Sequence, residues 1–287
     1  MGKKLVIVLG PTASGKTDYS LELAAKYGSP IISCDSRQIY KEMTIGTAVP
    51  SASQLAAVKH YFIQTKSVQD YYTAGIYEAE ALSLIDQLFA EGHETLVMTG
   101  GSMFYIDAIC NSLDCIPTSA PSIRAALQER LDKEGIESLR EELRRRDPEG
   151  YEAMELSNTQ RVFRAVEICL TTGKPYSSFK RDPGATNRSF EIEKIGISRP
   201  KEILYERIND RVLKMMEMGL VDEVKSLTQF RDLTALQTVG YKEIFDYLDG
   251  SIDLDEAVRL IQRNTRHYAK RQMTWWRRDP SIKWIEF

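Results

Sequence analysis

The most constraining feature of this 287-residue chain is the stretch GPTASGKT at residues 10–17, which separates two differently patterned segments. Before it stands LVIVL at residues 5–9, a short apolar, β-branched run that predicts a buried strand. After it, the pattern of residues 16–27 predicts a helix. Strand, glycine-rich turn and helix in this order are typical of an α/β fold that binds ligands at the turn. The sequence therefore predicts a parallel sheet with an anion site at its first turn.

The glycine-rich stretch has the full spacing of a P-loop, G-x-x-x-x-G-K-T. Its glycines let successive backbone N–H groups face an anion, Lys16 adds a positive charge, and the Thr17 hydroxyl can hold Mg²⁺. The predicted phosphate-binding residues are Gly10, Pro11, Thr12, Ala13, Ser14, Gly15, Lys16 and Thr17. The motif predicts phosphate binding but leaves the reaction open.

Later segments predict how the sheet continues and where it is interrupted. Strands are predicted at residues 30–34, 95–99 and 192–198, and helices at 16–27, 75–91, 201–218 and 253–278. Between the last two of these strands the chain becomes charged and helical. We predict a P-loop-type parallel sheet flanked by helices, with residues 1–112 as the first part of the core. We predict that residues 113–190 form a helical insertion domain and that residues 191–287 return to the core and end in a basic helix.

Composition limits the class of protein. No apolar run approaches the roughly 20 residues that a membrane span requires, and the run at residues 5–9 ends too soon for a signal peptide. The four cysteines, Cys34, Cys110, Cys115 and Cys169, form no C-x-x-C pair, so neither a zinc site nor a disulfide framework is indicated. We expect a cytoplasmic monomer without membrane contact.

The net charge of −3 hides a basic C-terminal segment, because residues 259–287 hold eight Lys or Arg against two acidic residues. Helical spacing places four of these on one face: Arg259, Arg263, Arg266 and Lys270. This face is either a solvated surface or a contact for phosphates. The neighbouring pair of tryptophans at 275–276 either packs in the core or stacks on a base.

The segment PIISCDSRQIY places Asp35 at the carboxyl end of the second strand, beside the P-loop. A carboxylate there can take a proton from an incoming nucleophile. Alternatively, Asp35 caps the turn that follows. Both a kinase and a transferase fit this arrangement.

The strand at residues 95–99 runs into Gly100, Gly101 and Ser102 rather than into an aspartate that would position magnesium and water. A D-x-x-G pattern at residues 147–150 lies in the helical region, where we interpret it as chance. Nucleotide hydrolysis of the switch GTPase kind is therefore disfavoured.

A series of motifs runs over nearly the whole chain: GPTASGKT, DSRQIYKEMTIGTA, GGSMFY, DP, NTQRVFRAVEI, PKEILYERINDRV, MGLVDEV, LQTVGYKE and TRHYAKRQMTWWRR. In this order they resemble the bacterial tRNA dimethylallyltransferases, also called tRNA isopentenyltransferases. The resemblance implies transfer of a dimethylallyl group from its diphosphate to N6 of the adenosine on the 3′ side of the anticodon, with Mg²⁺ and release of diphosphate.

The resemblance also implies a role for each site residue. The P-loop would bind the diphosphate of the donor rather than ATP, Asp35 would be the general base, and Ser102 and Arg211 would act on the leaving diphosphate. Ser102 stands where the family usually has threonine, and it keeps the hydroxyl. The implied contacts to the tRNA anticodon stem-loop are Asp35, Ser36, Arg37, Gln38, Arg124, Gln160, Arg161, Val162, Phe163, Arg164, Gln237, Gly240, Tyr241, Lys242, Lys270 and Arg271.

Two other classes of protein fit parts of the pattern. A small-molecule kinase would place ATP in the P-loop and use the arginines at 144–146 as a lid over its phosphates. A nucleotide-responsive RNA-binding module would need no catalytic residue, which Asp35 beside the P-loop disfavours. Binding of dimethylallyl diphosphate or of ATP separates the first two classes.

Overall fold

The computed structural model describes residues 2–112, 120–179 and 188–287, so Cys115 lies outside the described residues. The strands are β1 (Lys4–Leu9), β2 (Ile31–Ser33), β3 (His60–Tyr61), β4 (Thr95–Thr99), β5 (Glu191–Ser198) and β6 (Lys283–Glu286). The helices of the first half are α1 (Lys16–Tyr27), α2 (Ala52–Ala57), α3 (Ala74–Ala90), α4 (Met103–Asn111), α5 (Pro121–Glu134) and α6 (Ile136–Arg146). The later helices are α7 (Pro148–Ala153), α8 (Thr159–Thr172), α9 (Lys201–Glu217), α10 (Leu220–Ser226), α11 (Tyr241–Leu248) and α12 (Leu254–Trp276).

The six strands form one parallel sheet in the order β3-β2-β4-β1-β5-β6. Strand β1 lies between β4 and β5, with Val8 opposite Thr99 on one side and Ile195 on the other. Its apolar residues are buried on both faces, which explains why the segment is an unbroken apolar run rather than an alternating one. The predicted P-loop-type parallel sheet flanked by helices is confirmed.

The carboxyl ends of β1, β2 and β4 meet at one edge of this sheet because the strands are parallel. Close packing there requires glycine at two positions. A Cβ on Gly10 would lie 2.4 Å from the carbonyl oxygen of Ile197, and a Cβ on Gly100 would lie 2.5 Å from the backbone of Cys34. Backbone segments that follow different strands can therefore approach one another closely at this edge.

The described residues divide into two compact units. The first holds the sheet and consists of the chain up to Cys110 and from Arg188 onward. The second lies between Asn111 and Asn187 and contains α5 to α8. No helix in the described ranges is long and apolar enough to cross a membrane.

The second unit has an apolar core of its own, formed by the inward faces of α5, α6 and α8. Its D-x-x-G pattern has a structural role. Buried Asp147 caps α7 by accepting a hydrogen bond from the Gly150 N–H at 2.8 Å, and it also accepts one from the Ser177 N–H at 2.7 Å. The pattern is therefore a helix cap and not part of a nucleotide switch.

Candidate active site

The P-loop folds as a tight turn between β1 and α1. Ala13 and Gly15 adopt positive φ values of 64° and 103°, which curls the backbone before α1 begins at Lys16. The half-buried Lys16 ammonium donates to the Pro11 carbonyl at 2.7 Å. Burial, together with the nearby Arg211 charge, lowers the pKa of Lys16 to about 7. The loop thus holds a lysine whose charge an anionic ligand would stabilise.

Three arginines that follow β5 in the chain donate hydrogen bonds to oxygen atoms of the P-loop. Arg211 on α9 donates to the Thr12 hydroxyl of the loop at 3.2 Å. Arg207 donates to the carbonyl of residue 13 at 2.9 Å, and Arg199 donates to that of residue 14 at 2.7 Å. Arg199 and Arg207 are not among the residues predicted from the sequence, although the four-residue spacing of Arg207 and Arg211 places them on one helix face. Their charges add to that of Lys16 around the loop.

Asp35 lies two residues after the end of β2, and one of its oxygens accepts hydrogen bonds from the backbone. Oδ1 accepts from the N–H groups of Arg37 at 2.8 Å and Gln38 at 3.2 Å, so Asp35 does cap the turn that follows it. Among the described residues, Oδ2 accepts no hydrogen bond, which leaves one carboxylate oxygen for a ligand. The cap and the proton acceptor are therefore compatible roles of one side chain.

Ser102 connects the turn after β4 to the turn after β2. Its hydroxyl accepts from the Ser36 N–H at 2.7 Å and donates to the Ser36 hydroxyl at 2.9 Å. The side chain is buried. Ser102, which the family resemblance assigned to the leaving diphosphate, thus lies next to the turn that Asp35 caps.

A glutamine of the last helix joins the P-loop to this second turn. Gln272 accepts from the Thr12 N–H at 2.9 Å and donates to the Gly101 carbonyl at 2.8 Å. Tyr268 donates to the same carbonyl at 3.2 Å. The sequence places Gln272 on the core-facing side of the helix but gives it no role, because its partner residues are far away along the chain.

The predicted tRNA contacts of the first unit fall into exposed and buried groups. Gln237, Lys242, Lys270 and Arg271 are exposed, whereas Ser36, Arg37 and Gln38 are half-buried and Gly240 is buried. Tyr241 is fully buried, and its hydroxyl donates to Glu223 at 2.6 Å. Direct contact between the Tyr241 side chain and tRNA does not fit this burial. Its ring instead packs against Gly46, where a Cβ would lie 2.5 Å from a ring carbon.

Glu223 on α10 holds the IGTA segment that follows the Asp35 turn. Its carboxylate accepts from the N–H groups of Thr44 at 3.0 Å, Ile45 at 2.7 Å and Gly46 at 3.0 Å. No sequence pattern indicated this contact, since the partners are more than 170 residues apart. Glu223 is therefore a further residue that shapes the site.

We expect Glu223→Gln to lower the free energy of unfolding by about 2 kcal/mol, because the amide group cannot accept hydrogen bonds from all these N–H donors. Urea denaturation measures the loss. Asp222→Asn removes an exposed carboxylate from the same helix and is the matched control. Equal stabilities of the two variants would contradict the role of Glu223.

In the second unit, Gln160 and Arg161 are exposed at the start of α8. Arg164 pairs with Glu167 at 2.6 Å, and the mostly exposed Arg124 approaches the same carboxylate at 3.3 Å. Val162 and Phe163 lie in the apolar core of this unit. The prediction that these two side chains contact tRNA directly does not fit their burial, because positions one and two residues after Arg161 turn to the inner face of the helix.

The basic face of α12 is only partly free. Arg259 pairs with Glu256 at 2.6 Å on the same helix, and Arg266 donates to Asn209 at 2.6 Å. Of the two tryptophans, Trp276 is buried and Trp275 donates to Asp107 at 3.0 Å. Both therefore pack against the protein, which was one of the two interpretations of the pair.

The arginine run at residues 144–146 is largely committed within its own unit. Glu142 accepts from Arg145 at 2.6 Å and also contacts Arg146 and Arg130. Arg145 and its neighbours lower the pKa of Glu142 to about 2. These pairs give two of the three arginines, Arg145 and Arg146, a structural role, which weakens the argument for a kinase lid.

The donor set of the P-loop fits a magnesium ion that is shared with a phosphate ligand. The described ranges contain no group of three or more His, Cys, Asp and Glu side chains that could hold a metal ion alone. Thr17 offers a hard hydroxyl oxygen in the first turn of α1. Mg²⁺ is commonly bound by one or two protein oxygens together with phosphate oxygens and water, which this arrangement can supply.

The fold is of the P-loop type, and at one edge of its sheet the Asp35 carboxylate follows β2 while Lys16 and three arginines surround the turn after β1. The chain belongs to the IPP transferase family, whose model matches residues 38–279, and the predicted family is thereby confirmed.

Named relatives agree with this assignment. The chain is 51% identical to tRNA dimethylallyltransferase 2 of Porphyromonas gingivalis over 98% of its own length and 93% of that protein. It is 46% identical to tRNA dimethylallyltransferase of Christiangramia forsetii over 100% and 94% of the two chains. The solved structure of tRNA isopentenylpyrophosphate transferase from Bacillus halodurans superposes with a TM-score of 0.71 at 35% identity, over 99% of this chain and 90% of that one. These relatives favour a prenyl transferase over a small-molecule kinase.

Proposed function

We propose that this protein transfers a dimethylallyl group from dimethylallyl diphosphate to N6 of the adenosine on the 3′ side of the anticodon of tRNA, and releases diphosphate. The observation that carries the proposal is the Asp35 Oδ2, which accepts no hydrogen bond from the described part of the chain and lies at the sheet edge that also bears the P-loop and Lys16. Its support is the family to which the chain belongs and the names of its relatives.

Asp35 is the group that removes the proton. The exocyclic amine of adenine is a weak nucleophile because its lone pair is delocalised into the ring. As N6 forms its bond to the allylic carbon, Asp35 Oδ2 takes a proton from the nitrogen, while Oδ1 stays bound to the turn. The backbone contacts of Oδ1 fix the carboxylate in place. The Asp35 side chain therefore loses no conformational freedom when the adenine of the substrate binds.

The P-loop serves the leaving group. When the bond from the allylic carbon to oxygen breaks, its electron pair stays on the diphosphate, and the charge is stabilised by Lys16, Arg211 and the backbone N–H groups of the loop. Arg199 and Arg207 add positive charge through their bonds to the loop carbonyls. Magnesium held by the Thr17 hydroxyl and the donor oxygens would neutralise the diphosphate further.

The tRNA side of the proposal uses the exposed members of the predicted set. In the first unit these include Lys270 and Arg271 at the end of α12, and in the second unit Gln160, Arg161 and Arg124. The target adenosine must leave its stack in the anticodon loop to reach Asp35, as bases do in other enzymes that modify them. We place the protein in the cytoplasm as a monomer, where tRNA is its substrate.

Mass spectrometry of adenosines tests the reaction directly. Unmodified bulk tRNA is incubated with the purified protein, Mg²⁺ and dimethylallyl diphosphate, and nuclease fragments are analysed. We expect N6-prenylated adenosine in anticodon-loop fragments. Absence of that product, together with consumption of ATP in the presence of a small hydroxylated acceptor, would overturn the proposal in favour of a kinase.

We expect the double variant Lys270→Ala/Arg271→Ala to weaken tRNA binding most at low salt. The logarithm of the affinity falls as the logarithm of the salt concentration rises. Each lost phosphate contact makes this negative slope less steep by about one. Filter binding at several salt concentrations measures this slope. Arg259→Ala on the same helix is the matched control, because that charge is already paired with Glu256. The same slope for the double variant and the wild type would remove these two residues from the tRNA contact.

A further inference from the structure

We infer that Gln272 is a positioning residue that fixes the P-loop relative to the turn that carries Asp35. This inference rests on the proposed function. Gln272 is almost completely buried on α12, with 1% of its surface exposed. Both ends of its amide are bonded to backbone that follows different strands of the sheet. The residue therefore joins two parts of the site that the chain itself does not connect.

The contacts form a continuous path across the sheet edge. The Gln272 oxygen accepts from the Thr12 N–H of the P-loop, and its NH₂ group donates to the Gly101 carbonyl. The next residue, Ser102, is bonded to Ser36 in the turn that Asp35 caps. A shift of Gln272 would thus change the distance between the P-loop and the turn that carries Asp35.

Only a carboxamide satisfies both partners of this side chain. The Thr12 N–H needs an acceptor, and the Gly101 carbonyl takes a second donor beside the Tyr268 hydroxyl. An amide offers both groups without a charge. A carboxylate would place an oxygen against the Gly101 carbonyl and add negative charge beside the diphosphate site. The fit is close, since a Cβ on Gly101 would lie 2.7 Å from the Gln272 nitrogen. The glycine at 101 is therefore part of the same arrangement.

The contact also determines which P-loop amide is withheld from the ligand. Because the Thr12 N–H is bonded to Gln272, it is not available to an anion. Of the N–H groups that follow it, that of Ser14 donates to the Pro11 carbonyl at 3.3 Å. Removing the amide would leave the Thr12 N–H without its buried acceptor and free the loop to adopt other conformations. Donor binding should suffer while distant tRNA contacts should not.

The test compares Gln272→Met with the wild type, because methionine fills a similar volume without hydrogen bonding. Isothermal titration with inorganic pyrophosphate and Mg²⁺ should show an affinity about 10-fold or more weaker for the variant. The donor KM should rise by a similar factor and kcat should fall, whereas the tRNA Kd should stay within about twofold. Gln272→Glu should bind pyrophosphate more weakly still.

Gln262→Met is the matched control, since Gln262 lies on the same helix and makes one long bond, at 3.4 Å, to the Asn209 carbonyl. Its pyrophosphate affinity should equal that of the wild type, and melting curves should confirm that all three variants fold. If the wild type binds pyrophosphate and prenylates tRNA while Gln272→Met matches it in affinity, KM and kcat, the role of Gln272 is refuted and the proposed function stands. A wild type that does neither refutes both.

Discussion

Asp35→Asn is expected to lower kcat by about 10²–10⁴-fold, the usual contribution of a general base. The substitution is informative because the turn survives it. An asparagine oxygen can still accept from the N–H groups of Arg37 and Gln38, while the carboxylate that takes the proton is gone. Single-turnover measurement of N6-prenylated adenosine with saturating tRNA and donor gives the chemical rate.

The matched variant Asp35→Ala separates the two roles of the side chain. It removes the base and also the acceptor of two backbone N–H groups, so it should lose stability that Asp35→Asn keeps. We expect both variants to be inactive, with tRNA Kd near the wild-type value for Asp35→Asn. If Asp35→Asn retains more than about a tenth of the wild-type rate, Asp35 is not the base.

Much of the sheet was predictable because its signals are local. The segments at β1, β4 and β5 are apolar enough and long enough to be recognised locally, and the structure confirms them as strands. Strand β3 escaped prediction because it is only two residues long and is defined by its pairing with β2. His60 within it has its Nδ1 2.7 Å from the Val58 carbonyl, and burial lowers the pKa of the ring.

The site was predictable only where a motif is contiguous. The P-loop and Asp35 lie in short segments whose chemistry follows from neighbouring residues. In contrast, Gln272 meets Thr12 across 260 positions of the chain, and Arg207 meets the loop across 194. No local pattern encodes such contacts, since they depend on where α9 and α12 pack.

Motif resemblance also does not separate contact from packing. Val162 and Phe163 follow Arg161 in one motif, and Tyr241 belongs to another, yet all three side chains are buried. The periodicity of α8 does carry this information, because residues three or four positions apart share one face of a helix, and Val162 and Phe163 fall on the apolar face. Exposure, rather than membership of a motif, therefore selects the residues to test for tRNA contact.

Lys16→Met is expected to lower kcat/KM for the donor by about 10²–10³-fold, the scale of removing one stabilising group from a site of developing charge. The tRNA Kd should not change. Methionine keeps the apolar stem of the side chain, so the loop loses a charge and the bond to the Pro11 carbonyl and little packing. Unchanged donor affinity and rate would show that the P-loop does not bind the diphosphate.

The lowered pKa of Lys16 gives this variant a second readout. In the free protein the ammonium loses its proton as pH rises through about 7, because burial and Arg211 favour the neutral amine. A bound diphosphate favours the charged form and raises the pKa, so donor binding above pH 7 must take up a proton. Affinity should therefore be full below about pH 7 and fall by up to tenfold per pH unit above it.

Comparing the wild type with Lys16→Met at each pH isolates this group, because ionisation of the donor itself affects both proteins equally. The ratio of their kcat/KM values should be largest near pH 6 and should decline through pH 8. Lys16→Arg is the control for charge, because a guanidinium stays protonated over this range. The ratio of kcat/KM for Lys16→Arg to that for Lys16→Met should therefore not change with pH. A wild-type ratio that is also flat would mean that Lys16 is fully charged before the donor binds.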